Sequence, residues 1–274
     1  MLNISKYYRV SSLEEALDLL NKETWKILGG GTDIVPQMRA GAHKDAALMD
    51  IQLLKNELGS VEMRDGDLVI GALCTHEELR HNDLVKEYMP TLADACAHVG
   101  SPQIRKRGTI AGNVINASPA GDTIPSLVAA GASARFLSVN GERLVPVEDI
   151  ATRPGRTVKE DNELLTEFII PLEGKAWKGT YDKVGVRNAL QISIADCAVI
   201  SHPDFGVRIA CGSVGPTVKR ALQSEALFAK EGMTREDFAS AMAEDICPID
   251  DVRASAAYRR EVLTNLIYLH YQER

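Results

Sequence analysis

The chain has 274 residues, of which 45% are hydrophobic and 25% charged, with a formal net charge of -7. Those proportions belong to a globular protein large enough for two domains, and they exclude a disordered chain. The acidic balance argues against nucleic-acid binding, whose affinity comes mostly from clustered Lys and Arg; the lone cluster Arg105, Lys106, Arg107 is too short, and reads either as a solvated turn, the reading favoured for Lys106, or as part of a docking face or phosphate field.

No apolar run approaches the roughly 20 residues of a bilayer span, and the N-terminus lacks the apolar core of a signal peptide. A cytoplasmic protein with no membrane partner is expected. The five cysteines, Cys74, Cys96, Cys197, Cys211 and Cys247, are scattered without a CxxC pair or a nearby His. They read as buried thiols, with no zinc, no iron–sulfur cluster and no disulfide framework in this chain.

In chain order, Ser11 or Ser12 caps a first helix, with Glu14 or Glu15 completing a capping box and Leu13, Ala16, Leu17 and Leu20 on one face. Lys26 to Leu28 reads as a strand entering a glycine cluster, and Ala47 to Ile51 as a second buried strand. A hairpin follows, with strands Val61 to Arg64 and Leu68 to Leu73 around Asp65-Gly66-Asp67. Thr75 and Glu78 form a capping box that puts His76 in a helical first turn, where it is not a metal ligand. Pro90 opens a helix through His98. Asp122 caps the next one, with Pro125 tolerated in its first turn.

Strands return at Arg135 to Val139, Leu144 to Pro146 and Leu164 to Pro171, and Pro171 to Lys178 is the candidate domain boundary. Beyond it, strands near Tyr181 to Val186, Ile194 to Ser201 and Val207 to Val214 precede two helices. One is capped by Thr234 and the other runs from about Ser255 to Tyr271. That order predicts an α+β domain with helices on one face of an antiparallel sheet.

Two segments carry chemistry. KILGGGTDIVPQMRAG sets three glycines directly after a strand, which lets successive backbone amides point at one anion such as a pyrophosphate. A tight turn is the plainer reading of the triplet, and the spacing is not the GxGxxG of a nicotinamide-type Rossmann site. GSPQIRKRGTIAGNVINASPAGDTIPSL combines Gly108, Gly112 and Gly121 with Thr109, Asn113, Asn116 and Ser118. It can offer amides, hydroxyls and carboxamides to phosphate and ribose, with Asp122 accepting from a ribose hydroxyl. Two such loops about eighty residues apart imply one extended ligand clasped between two subdomains.

GGGTD and QIRKRGTIAGNVINASPAGD resemble the two flavin signatures of the FAD subunit of molybdenum hydroxylases, the group that includes xanthine dehydrogenase and carbon monoxide dehydrogenase. The resemblance extends to DNELLTEFIIP, YDKVGVR and IACGSVGPTVKRA, and so over nearly the whole chain. It implies that Ile27, Leu28, Gly29, Gly30, Gly31, Thr32, Asp33 and Ile34 wrap the FAD diphosphate. By the same resemblance Thr109, Gly112, Asn113 and Asp122 hold the rest of the adenine dinucleotide, and Leu165 and Lys183 lie near the flavin.

A cation at Lys183 would favour an anionic reduced flavin and raise its potential, whereas the plainer reading is a surface lysine. Asp33 is expected to point away from the pyrophosphate and brace its loop by accepting backbone or Arg hydrogen bonds. Gln191 stands where many relatives carry an acidic residue. No Cys-rich insertion is present, and the glycine loop lacks the His that links flavin covalently in some oxidases of this fold, so FAD is expected to be non-covalent.

The implied fold is α+β. A p-cresol methylhydroxylase and vanillyl-alcohol oxidase type FAD domain spans 1–173, in subdomains of about 1–55 and 56–173, and a CO dehydrogenase flavoprotein-like α+β domain spans 174–274. The implied activity is that of an FAD-dependent oxidoreductase subunit working only in a complex. In that heterotrimer an iron–sulfur small subunit carries 2Fe–2S clusters, a large subunit carries molybdopterin, and electrons leave to NAD or another acceptor. The rivals are a self-sufficient flavin oxidoreductase of the same fold and a cofactor-free scaffold.

Overall fold

The computed structural model describes residues 3–186 and 192–274. Its first unit contains β1 (Ile4–Arg9), α1 (Leu13–Lys22), β2 (Lys26–Leu28), α2 (Ile34–Arg39) and β3 (Ala46–Asp50), with the strands in the order β1-β3-β2 and all parallel. Parallel neighbours need a crossover between them, and α2 with its flanking loops supplies the one from β2 to β3. The Ser12 hydroxyl caps α1 by accepting from the Glu15 amide, while the Glu15 carboxylate reaches back to the amide of Ser11. Strand β1 was not legible in the sequence because its side chains are almost all exposed and no alternation marks it. Helix α2 was hidden by its single buried residue, Met38, and by Pro36.

A second unit begins with α3 (Lys55–Leu58), β4 (Val61–Arg64) and β5 (Asp67–Gly71), then runs through α4 (His76–His81), α5 (Asp83–Tyr88), α6 (Pro90–His98) and α7 (Pro102–Arg105). It continues with α8 (Ile110–Ile115), α9 (Thr123–Ala130), β6 (Ser133–Ser138), β7 (Gly141–Pro146), α10 (Val147–Ile150), β8 (Ala151–Arg153), β9 (Arg156–Thr157) and β10 (Leu164–Ile170). The antiparallel order β4-β5-β10-β6-β7 puts β10, the last of these strands, at the centre of the sheet. The expected capping box at Thr75 and Glu78 is present. All eight residues of α9 are buried, because it lies between this unit and the C-terminal sheet.

The third unit holds β11 (Lys178–Val184), β12 (Ala195–His202), β13 (Gly206–Gly212) and β14 (Lys219–Arg220) in one antiparallel sheet. Helices α11 (Leu222–Phe228), α12 (Arg235–Asp245) and α13 (Ala256–Glu273) follow. The two expected helices are α12 and α13; α11 was not foreseen. One sheet face packs on these helices through Cys197, Val199, Ile209 and Phe238. The other face contributes Ala198, Ile200 and Ala210 to the core built on Leu68, Leu127 and Phe168. Trp177, in the connection to β11, is fully buried and donates its Nε1 hydrogen to the Pro171 carbonyl at 2.9 Å.

Three expectations need correction. Asp122 occupies the N-cap position of α9, but its backbone is helical and its side chain makes no capping bond, because three other donors claim it. Arg105 is not a solvated group: it donates to Glu77 and to the carbonyls of Val99 and Gly100, tying α7 to α4. Four cysteines are buried as expected, whereas Cys247 is exposed. Gln191 lies outside the described residues.

Candidate cofactor site

The glycine loop leaves β2 and enters α2, and the second loop leaves α7 and enters α8. Far apart in sequence, they lie against each other. Gly30 packs so closely on the second loop that an added Cβ would fall 1.9 Å from the Arg107 carbonyl oxygen. Gly31 has φ +77°, a conformation that glycine adopts without cost. Side chains complete the junction: Asn116 donates to Asp33 at 3.3 Å and accepts from Gln37 at 3.2 Å, and Arg107 donates to Gln52 at 3.1 Å.

Both loops line one cleft of about 470 Å³, a volume within the range of small-molecule sites. Gly29, Gly30, Gly31, Thr32 and Asp33 form part of its wall from the first loop, and Thr109, Gly112, Asn113 and Asn116 from the second. Leu164 and Leu165 on β10 close it with Ile27, Ile34 and Trp25. Leu28 does not line the cleft; its side chain packs beneath Gly31.

Among the described residues, the backbone amides of Gly29 through Ile34 donate to no protein acceptor. A run of unpaired amides at a glycine turn is an anion-binding concavity that suits the diphosphate of a dinucleotide. The second loop differs. Its amides at Ile110, Ala111, Gly112 and Asn113 are spent on Cys74, Ala72 and Thr109, so the expectation that both loops present free amides is corrected. Thr109 caps α8 by accepting from the Gly112 amide, and Asn113 accepts from Thr123 at 2.8 Å.

Asp33 lines the cleft rather than turning away, and the donor it meets is the Asn116 carboxamide instead of a backbone amide or an arginine. Burial pushes its carboxyl above the usual range.

Asp122 and Lys183 are together but not in that wall. Their side chains are 9% and 1% exposed and form an ion pair of 2.8 Å between the N-terminus of α9 and strand β11. Tyr181 and Ser193 also donate to Asp122, and Lys183 donates to the His98 carbonyl. The surface-lysine reading of Lys183 is therefore overturned. Asp122 adjoins Gly121, where a Cβ would stand 3.1 Å from the Asn113 carboxamide oxygen, so the pair sits directly behind a cleft-lining residue.

Sequence reasoning did not assign Trp25, Gln37, His43 or His76 to the site, although the structure places all four on the cleft beside Asn116, which that reasoning had named only within the second segment. Only Asn116 carried a signal, as a small polar residue within the second segment. The others come from elements whose packing creates the wall.

An α+β protein with a cleft lined by two packed glycine-bearing loops, the first offering amides unpaired among the described residues, is a dinucleotide-binding protein in outline. Residues 2–173 match the family described as the FAD binding domain in molybdopterin dehydrogenase, and residues 181–274 match the CO dehydrogenase flavoprotein C-terminal domain. The chain belongs to this family of FAD-binding medium subunits of molybdenum hydroxylases.

It is 32% identical to the glyceraldehyde dehydrogenase medium chain of Sulfolobus acidocaldarius, with 97% of each chain covered. It is 28% identical to the xanthine dehydrogenase FAD-binding subunit of Escherichia coli O157:H7, over 97% of this chain and 94% of that one. Among solved structures, a chain of the carbon monoxide dehydrogenase from Hydrogenophaga pseudoflava superposes with a TM-score of 0.87 at 27% identity, covering 97% of this chain and 96% of that one.

Proposed function

We infer that the chain is the electron-transfer subunit of a xanthine dehydrogenase-like hydroxylase, active only in complex. In this reading a small partner carries 2Fe–2S clusters, a large partner carries molybdopterin, and electrons pass onward to NAD or another acceptor in the cytoplasm. Residues 1–173 would carry non-covalent FAD, and residues 174–274 would form the second domain.

The observation that carries the reading is the run of amides from Gly29 to Ile34, unpaired among the described residues, in the wall of a cleft that Thr109, Gly112 and Asn113 also line. Those amides would hold the diphosphate, Asn113 and Thr109 would fix the groups beside it, and Leu165 would shield the ring from water. Lys183 would act from behind, by keeping Asp122 and the α9 N-terminus in place. Bound FAD supplies the conversion between single-electron and hydride transfer.

The test is to load the purified chain with FAD and offer it NADH and then aldehydes, purines and N-heterocycles, without partners. Flavin bleaching by NADH alone is the expected result. Bleaching by an organic substrate would favour a self-sufficient oxidase, and a chain that takes up no flavin would end the reading.

A further inference from the structure

The wall of the cleft contains a histidine that the reading above does not use. His76 is the first residue of α4 and only 2% exposed, and its backbone amide donates to the Gly108 carbonyl at 3.1 Å, which ties it to the second glycine loop. The ring lies under the junction of the two loops. A Cβ built on Gly108 would come 3.2 Å from its Cδ2 and 3.4 Å from the Thr32 hydroxyl. On the inner side, Nδ1 is 3.8 Å from the Cys96 thiol.

That contact favours one position for the ring's proton. Burial, with the Arg105 cation as a lesser cause, pushes the imidazole down to about 4, so at neutral pH it carries one proton. The Cys96 thiol is held protonated by its own burial. An imidazole nitrogen accepts better than sulfur does, so the thiol hydrogen goes to Nδ1 and the ring proton resides on Nε2. Among the described residues the ring's one hydrogen-bond contact is at Nδ1, which leaves Nε2 open to an outside acceptor. His76 is among the residues that line the cleft.

We propose that His76 is a neutral hydrogen-bond donor to the bound dinucleotide, giving its Nε2 hydrogen to a diphosphate oxygen held by the amides around Thr32, with Cys96 fixing the tautomer. The proposal rests on the FAD reading above and adds a contact to it. Being uncharged, the ring can stay buried in the apo protein where a lysine or arginine would demand a counter-ion.

The test is nitrogen-15 spectroscopy of the imidazole in the full chain during titration with FAD, alongside FAD affinities of His76→Phe and His76→Gln. The expected result is a protonated Nε2 and bare Nδ1 before FAD, with the Nε2–H resonance shifting on addition while Nδ1 stays. His76→Phe should weaken FAD binding about tenfold, and His76→Gln, which keeps a donor, should lose less. If His76→Phe fails to fold, the spectra of the parental chain still decide.

Unmoved His76 resonances in a parental chain that does take up FAD overturn this contact alone. A parental chain that takes up none overturns the functional reading and the contact together.

Discussion

Gly30 and Arg107 are in backbone contact: the glycine Cα rests on the arginine carbonyl, with no room for a methyl group between them. The two adjoining glycines differ. A Cβ on Gly29 would meet its nearest atom, the Thr109 hydroxyl, at an ordinary 3.5 Å, and Gly31 is constrained by its φ of +77°. Alanine substitution should therefore give a graded series. Gly30→Ala must separate the loops, costing about 1–3 kcal/mol of stability and at least tenfold in FAD affinity. Gly31→Ala should cost about 1 kcal/mol, and Gly29→Ala much less. Thermal melts with and without FAD check the order, and equal losses at all three positions would contradict it.

Lys183 and Asp122 make a second case. Removing one partner of a buried ion pair strands the other, so Lys183→Met should destabilise the chain by about 3–5 kcal/mol even without flavin. Lys183→Met combined with Asp122→Asn should recover much of that loss. Urea unfolding of the two single variants and the double variant measures the coupling. Additive effects would show that the pair is not energetically linked.

Asp196, on β12 opposite Lys183, is fully buried, and among the described residues its Oδ1 has no hydrogen-bond partner. Burial, then the charge of Asp122, pushes it up to about 7, against the smaller opposing effects of Ser193, Lys183 and Ser213. The folded chain therefore holds a proton that the unfolded chain releases between about pH 4 and pH 7. Stability contributed by the protonated form is full below about 4 and is lost as pH rises through about 7. Asp196→Asn should flatten that decline and make the variant relatively more stable at pH 8. Denaturation midpoints at pH 5 and pH 8 test this, and an unchanged slope would assign the dependence elsewhere.

Asn116 joins the loops by holding Asp33 with its amide nitrogen and Gln37 with its oxygen. Asn116→Leu removes both bonds at a cost of about 1–2 kcal/mol. FAD should then dissociate several-fold faster, as stopped-flow flavin fluorescence would record. An unaltered off-rate would mean that backbone packing at Gly30 suffices to hold the loops.

Much of the architecture was legible because local rules and tertiary packing agree. The Thr75 capping box, the hairpin at Gly66 and the helix from Pro90 to His98 each carry a short-range signal, and each formed where expected. Strand β1 and helices α2 and α11 carried none: the strand is largely exposed, and the two helices are short with few buried residues. At the site, the glycine loops could be read because close backbone approach demands glycine whatever the surroundings.

The sequence by itself determined which loops could approach an anion, since that depends on the absence of side chains at Gly30 and Gly31. Only the tertiary structure decided how the polar groups around them are spent. Asp122 was drawn into an ion pair with Lys183, Asp33 met Asn116, and His76 came to lie under the loop junction. These partners stand between 61 and 83 residues apart where they pair. Hydrogen bonding is a short-range force that no local pattern encodes until the core has brought its partners together.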